Sequence, residues 1–287
     1  TLTGDRHGRA AVDYTVNPSL GFPDATGPEG STEPVAHVLP AWDCIAGNMA
    51  VAGLLAAERA RLRTGRGQQV EIALKDVAAA MLGNLGILGE TALTGESRPK
   101  AGNALYGAYG QDFLCACGRR VMVVGLTQRQ WRGLVEATGT AAEMDALARR
   151  LGRDLAQEGE RWKARHEITA LLAPWFAARR VADFADAFDK AGVTWSIFRD
   201  FHTAMEEDPD LSTENPLFTM LDQPGIGELL TPRSPFAFSA AARPADAPAP
   251  ALGQHTEEVL ADVAGLSSGE IGRLFDRGVV GGPVPAA

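Results

Sequence analysis

Cysteine is scarce in this sequence. Cys44, Cys115 and Cys117 are the only three in 287 residues, too few for a disulfide framework. The Cys115-Ala116-Cys117 pair has no second pair and no nearby histidine, so no metal site is expected, and a reduced, cytoplasmic setting fits. Histidines stand apart at 7, 37, 166, 202 and 255, and none has ligand spacing. Long apolar runs are absent as well. The most apolar stretch, Ile45 to Ala57, is too short to span a bilayer and runs into Glu58, Arg59, Arg61 and Arg63. There is no basic excess: the formal charge of -9 gives no general nucleic-acid footprint. A G-x-S-x-G elbow, a P-loop and a dinucleotide fingerprint are all missing. The 45% hydrophobic and 22% charged composition is that of a globular chain with real cores.

The periodicities place alternating helices and strands along the chain, so the class is α/β or α+β. Residues 1 to 40 are punctuated by Pro18, Pro23, Gly27, Pro28, Gly30 and Pro34 and read as loop-rich. A helix is expected from about Cys44 to Arg63, stopped at Thr64-Gly65. The alternation of Gln69 to Leu74 predicts a strand, and Lys75 to Thr91 a second apolar helix. A hairpin follows, Asp112 to Cys117 with Arg120 to Gly125. Helices are then expected over Thr127 to Thr138, Ala141 to Leu155, Arg161 to Arg180 and Val181 to Ala191. Val193 to Phe198 reads as a strand, Pro224-Gly225 as a turn, and Thr256 to Gly278 as a closing helical stretch. The tail from Gly281 to Ala287 is expected to be disordered. The chain opens on Thr1 and the turn-like Thr3 to Gly8, which reads as the middle of a protein whose N-terminal part is absent.

Three segments carry candidate chemistry. Asp43, in Leu39-Pro40-Ala41-Trp42-Asp43, stands at the mouth of the first long helix. It fits an N-cap, worth ~1 kcal/mol. It equally fits a carboxylate nucleophile kept ionised at a positive helix end. The two roles compete for the same oxygen lone pairs. The loop Gly102 to Asp112 is either an ordinary connection or a lid whose glycines bring backbone amides to a reacting carbonyl. The basic run Glu58 to Gln68 reads as a solvated helix end, with phosphate binding as the sharper alternative. These residues alone do not identify an enzyme.

Their order along the chain resembles the family III (CaiB/BaiF-type) CoA-transferases. Four stretches carry the resemblance. They are Asp13-Tyr14 through Asn17 to Gly21 with Thr26-Gly27-Pro28; Asp43-x-x-x-Gly47 with Arg63-Thr64-Gly65-Arg66-Gly67-Gln68; Thr94-Gly95 through Gly102-Asn103 with Gln130-Trp131; and Ala251 to Leu260 ending at Arg277 to Val280. The resemblance implies that Asp43 is the nucleophile, forming an aspartyl-CoA intermediate with acyl-CoA as substrate and no permanently bound cofactor. It makes Gly107, Tyr109 and Gly110 the active-site loop. Asp13, Asn17, His37, Trp42 and Arg9 become candidates for the substrate or CoA pocket, with Trp42 and Tyr109 as its walls.

Tyr14 to Pro18, His37 to Asp43 and Leu105 to Gly110 further resemble the intramolecular members, which move CoA between the two carboxyls of mesaconate. Intermolecular transfer to another carboxylate is the alternative. A racemase is disfavoured, because Val12 stands where racemases of this fold carry a histidine before the Asp13 position. An inactive fragment is the rival of a different class, one expected to expose apolar surface and to be poorly soluble. The implied fold is a large Rossmann-like domain built from both chain ends plus a smaller inserted α+β domain, in an interlocked homodimer. That assigns 1–75 to the large CoA-binding domain, 76–95 to a linker helix, 96–205 to the small domain, 206–224 to a linker and 225–287 to a return segment.

Overall fold

The computed structural model describes residues 1–5 and 7–284. Arg6 of the turn-like opening, and 285–287 of the tail expected to be disordered, lie outside the described residues. Contacts divide the chain after Phe198 into two units.

The first unit opens with two single-turn helices, α1 (Asp13–Val16) and α2 (Phe22–Ala25), joined by a 3-10 turn at Asn17–Leu20. The long helix α3 runs from Ala41 to Thr64 and ends at Gly65, whose φ of 70° is the left-handed cap that glycine adopts without cost. Asp43 is therefore not the N-cap. Pro40 occupies that place, and Asp43 lies inside the first turn.

The single apolar helix expected over Lys75 to Thr91 is two, α4 (Leu74–Asn84) and α5 (Ile87–Thr94), bent by 63°. The break falls at Gly86, φ 74°, where the chain turns left-handed. The strand expected at Gln69 to Leu74 does not form; 66–73 have no regular structure. Alternation supplies a pleat but no ladder partner, and a lone strand leaves its backbone groups unpaired. Val70 instead leans on α3, close enough that a Cβ on Gly53 would meet its Cγ1 at 3.4 Å. A small core joins Val16, Trp42 and Ala78. Along α3 only Trp42 is buried, while Met49, Val51, Leu54, Leu55 and Leu62 are exposed.

A larger core is built around an antiparallel sheet of β1 (Tyr109–Leu114), β2 (Arg120–Gly125) and, after four helices and a further short one, β3 (Thr194–Ile197), with β2 central. The hairpin pairs Tyr109 with Gly125 and Leu114 with Arg120. The four helices are α6 (Gln128–Thr138), α7 (Ala141–Leu151), α8 (Glu158–Lys163) and α9 (Arg165–Ala177). Then come α10 (Ala185–Ala191) and β3 (Thr194–Ile197). Thr127 and Gln130 form a reciprocal capping box on α6, and the Gln130 amide reaches on to Thr194 at 2.7 Å, tying the helix start to β3. Ile168, Leu172 and Phe176 of α9 face the sheet, with Phe113 and Phe176 stacked at 4.3 Å.

The second unit holds α11 (Phe201–Glu207) and a hairpin of β4 (Phe218–Gln223) and β5 (Gly227–Pro232), turned at Pro224-Gly225. The closing helical stretch is broken: α12 (Thr256–Glu258) passes into a π-turn at Val259–Val263, and α13 (Ser268–Asp276) restarts from a Ser267–Glu270 capping box. Gly265, φ 67°, makes the break. No single helix among the described residues is long and apolar enough to cross a membrane.

Candidate active site

Asp43 projects from the first turn of α3 and is exposed. A carboxylate there stands at the positive end of the helix, a favourable electrostatic placement. Directly beside it, Trp42 is held at two points. Its backbone N–H donates to Asp13 Oδ2 at 2.7 Å, and its indole Nε1–H donates to Asn17 Oδ1 at 3.2 Å. Asp13 and Asn17 are each 2% exposed and lie one helical turn apart. His37 closes the group: its Nε2 stands 3.8 Å from Asp13 Oδ1, its Nδ1 contacts the Leu39 carbonyl, and its ring lies 6.1 Å from that of Trp42. Four of the five pocket candidates thus come together around the start of α3. The fifth, Arg9, is exposed on the opening segment.

The glycine loop is a tight turn. Leu105 N–H donates to the Gly110 carbonyl at 3.0 Å, Gly107 takes a φ of 82°, and a Cβ on Gly110 would strike Leu105 Cβ at 2.7 Å. Tyr109 leaves this turn into the sheet core. It is fully buried, its hydroxyl meets Thr169 Oγ1 at 3.2 Å, and its ring packs edge-on to Trp131. Burial pushes its phenol well above the ordinary range, so it stays neutral. Trp42 and Tyr109, the two walls expected of the pocket, do not meet within this chain. They belong to separate cores, because the β1 register turns Tyr109 inward.

Lys100, inside the third matched stretch, carries no motif of its own in the sequence. It is buried, and its Nζ donates to the Pro23 carbonyl at 3.1 Å and to the Thr26 carbonyl. Gly102 N–H adds a bond to the Gly27 carbonyl at 3.0 Å. Two of the matched stretches are thereby pinned together, and they border an open cleft of about 550 Å³ with Gln111, Asp112, His166 and Thr169 on its far side. Asp43 is not among the residues lining it. A lysine between proline and a glycine turn was the available signal, since buried lysines need oxygen partners. No cluster of three or more His, Cys, Asp or Glu able to hold a metal occurs among the described residues.

The mixed α/β architecture is that of the CaiB/BaiF proteins. A crystal structure of a CaiB/BaiF family protein from Brucella suis superposes with a TM-score of 0.67 at 24% identity, over 91% of this chain and 65% of that one. The sequence profile of CoA-transferase family III matches residues 2–256, and the chain belongs to that family. It is 53% identical over 286 residues to 2-methylfumaryl-CoA isomerase of Chloroflexus aurantiacus, covering 100% of this chain and 70% of the relative. It is 28% identical over 277 residues to succinyl-CoA:mesaconate CoA-transferase of Haloarcula hispanica, covering 93% of this chain and 64% of the relative. The chain thus spans less than two thirds of the Haloarcula and Brucella proteins.

Proposed function

We propose that this chain carries the nucleophile of an intramolecular CoA-transferase, and that Asp43 moves CoA between the C1 and C4 carboxyls of mesaconate. The observation that carries the reading is the 53% identity to 2-methylfumaryl-CoA isomerase along the whole chain. An exposed carboxylate in the first turn of α3 supports the residue assignment.

The steps balance without a cofactor. Asp43 attacks the thioester carbonyl, the C–S bond breaks, and an aspartyl–mesaconyl anhydride and CoA thiolate form. The thiolate attacks the Asp43 carbonyl, giving an aspartyl-CoA thioester and free mesaconate. The other carboxylate of the same mesaconate attacks that thioester and releases thiolate. Attack of the thiolate on the new mesaconyl carbonyl restores Asp43. Each tetrahedral stage develops an oxyanion that needs aligned donors, a role assigned to backbone amides of the Gly107–Gly110 loop. Free mesaconate must not escape, so the site works enclosed. An interlocked homodimer in the cytoplasm completes the reading.

The test is incubation of the full chain with mesaconyl-C1-CoA and no acceptor acid, following the C4 isomer by chromatography. Isomerisation without added acid is expected. Conversion that starts only when a free acid is supplied would replace this reading with intermolecular transfer.

A further inference from the structure

We propose that Asp13 is a positioning residue for Asp43: it caps α3 from 29 residues away and so leaves the Asp43 carboxylate free to react. This rests on the reading of Asp43 as nucleophile and adds a division of labour between two carboxylates.

The first amides of a helix need acceptors. At the start of α3 the N-cap is Pro40, which has no side-chain oxygen, and no side-chain cap bond forms there. Asp43, in the first turn, has the right chemistry to bond back to this helix end, as acidic residues there commonly do. It does not: among the described residues its carboxylate makes no hydrogen bond or ion pair. The duty falls to Asp13, whose Oδ2 accepts the Trp42 N–H at 2.7 Å. A nucleophile engaged as a cap would have its lone pairs occupied by amides. Here capping and attack are assigned to different carboxylates.

The placement is specific. The amide that Asp13 holds belongs to the residue immediately before Asp43, so the bond fixes the backbone from which the nucleophile departs. Asn17 fixes the side chain of the same residue through the indole. Asp13 itself is 2% exposed, so the proposal gives it the support of α3 rather than contact with substrate. Its effect reaches the reaction through the aim of Asp43, and small misplacements of reacting groups cost rate steeply.

The test compares Asp13→Ala, Asp13→Asn and Asp43→Asn in the full chain with mesaconyl-CoA as substrate. Asp13→Ala is expected to lower kcat about 100-fold with KM little changed. Asp13→Asn keeps an acceptor oxygen and is expected to recover most of the rate. A folded Asp13→Ala enzyme with wild-type kcat would overturn the proposal, as would a variant that raises KM and keeps kcat. If Asp13→Ala fails to fold, the double variant Asp13→Ala/Pro40→Ser supplies a local cap. Recovered turnover supports the proposal, and a folded, inactive double variant overturns it. Asp43→Asn is read separately: retained turnover there removes the nucleophile reading, whatever the Asp13 variants do.

Discussion

Asn17 and Trp42 share a buried hydrogen bond in which the indole Nε1–H donates to the side-chain carbonyl at 3.2 Å. Trp42 also packs on Phe22 at 4.8 Å between ring centroids, so its ring and its polar edge are held by different partners. Trp42→Phe keeps much of the ring contact and deprives a 2%-exposed Asn17 of its donor. Leaving that oxygen unsatisfied is expected to cost about 1–3 kcal/mol. A urea titration checks it. An unchanged midpoint would mean that the indole bond contributes nothing to the fold.

Arg161 is fully buried in the larger core, and among the described residues no carboxylate forms an ion pair with its guanidinium, although Glu158 and Asp154 act on it from a distance. It donates to the carbonyls of Leu126 at 2.6 Å, and of Leu155 and Ala156 at 2.9 Å, stapling the connection before α6 to the one before α8. Burial holds its pKa below the ordinary arginine range. Arg161→Met removes the desolvated charge but strands three carbonyls, and the second effect wins. A loss of about 3 kcal/mol is expected. Arg161→Lys is expected to recover little, because an ammonium lacks the planar fork. Denaturant midpoints of both variants decide it, and wild-type stability in Arg161→Met would refute the staple.

What could be read from the sequence is what local rules govern. The α3 stop at Gly65, the hairpin at Gly118 and the α6 start at Thr127 each follow from a residue and its near neighbours. What failed required distant partners. Gln69 to Leu74 has the alternation of a strand, but no strand among the described residues pairs with it. Gly86 interrupts a run whose hydrophobicity continues on both sides. Asp43 looked like a cap because the true cap, Asp13, lies 29 residues away and declares itself only in space. Tyr109 looked like a loop residue because its strand begins earlier than the alternation suggests. Lys100 and Arg161 carry no motif in the sequence for a related reason: long basic side chains are usually solvated, and only burial marks them out.

Gly133 sits where α6 meets the end of α10. A Cβ there would lie 2.4 Å from the Ala191 carbonyl oxygen, which is backbone and cannot rotate away. Gly133→Ala is therefore expected to push the two helices apart and lower stability by about 2 kcal/mol, in spite of alanine's better helix propensity. Gly159 in α8 meets no atom within 4 Å and serves as the control. Thermal unfolding of the two alanine variants should separate them, Gly133→Ala falling and Gly159→Ala holding or rising. Equal midpoints would show that the crossing relaxes freely.

Glu90 of α5 is the centre of a pH-sensitive contact. It accepts from the Tyr106 hydroxyl and from Arg98 Nη2 at 2.5 Å, while the Arg98 guanidinium covers the Tyr106 ring at 4.1 Å. The Tyr106 hydroxyl first, and Arg98 second, hold the Glu90 carboxyl below its usual range. The same hydrogen bond first, then burial, raises the Tyr106 phenol. The signs follow by linkage. A depressed carboxyl stabilises the fold above its unfolded pKa and loses that contribution as pH falls through the lower folded value. A raised phenol keeps its contribution below its unfolded pKa and loses it as pH climbs through the raised one. The contact should thus hold across the neutral range and weaken at both extremes. Glu90→Gln removes the acid limb. Urea midpoints of the wild type and Glu90→Gln, measured from pH 7 downward, should differ at neutral pH and converge below the ordinary carboxylate range. A gap that stays constant with pH would show that Glu90 acts through packing rather than through its charge.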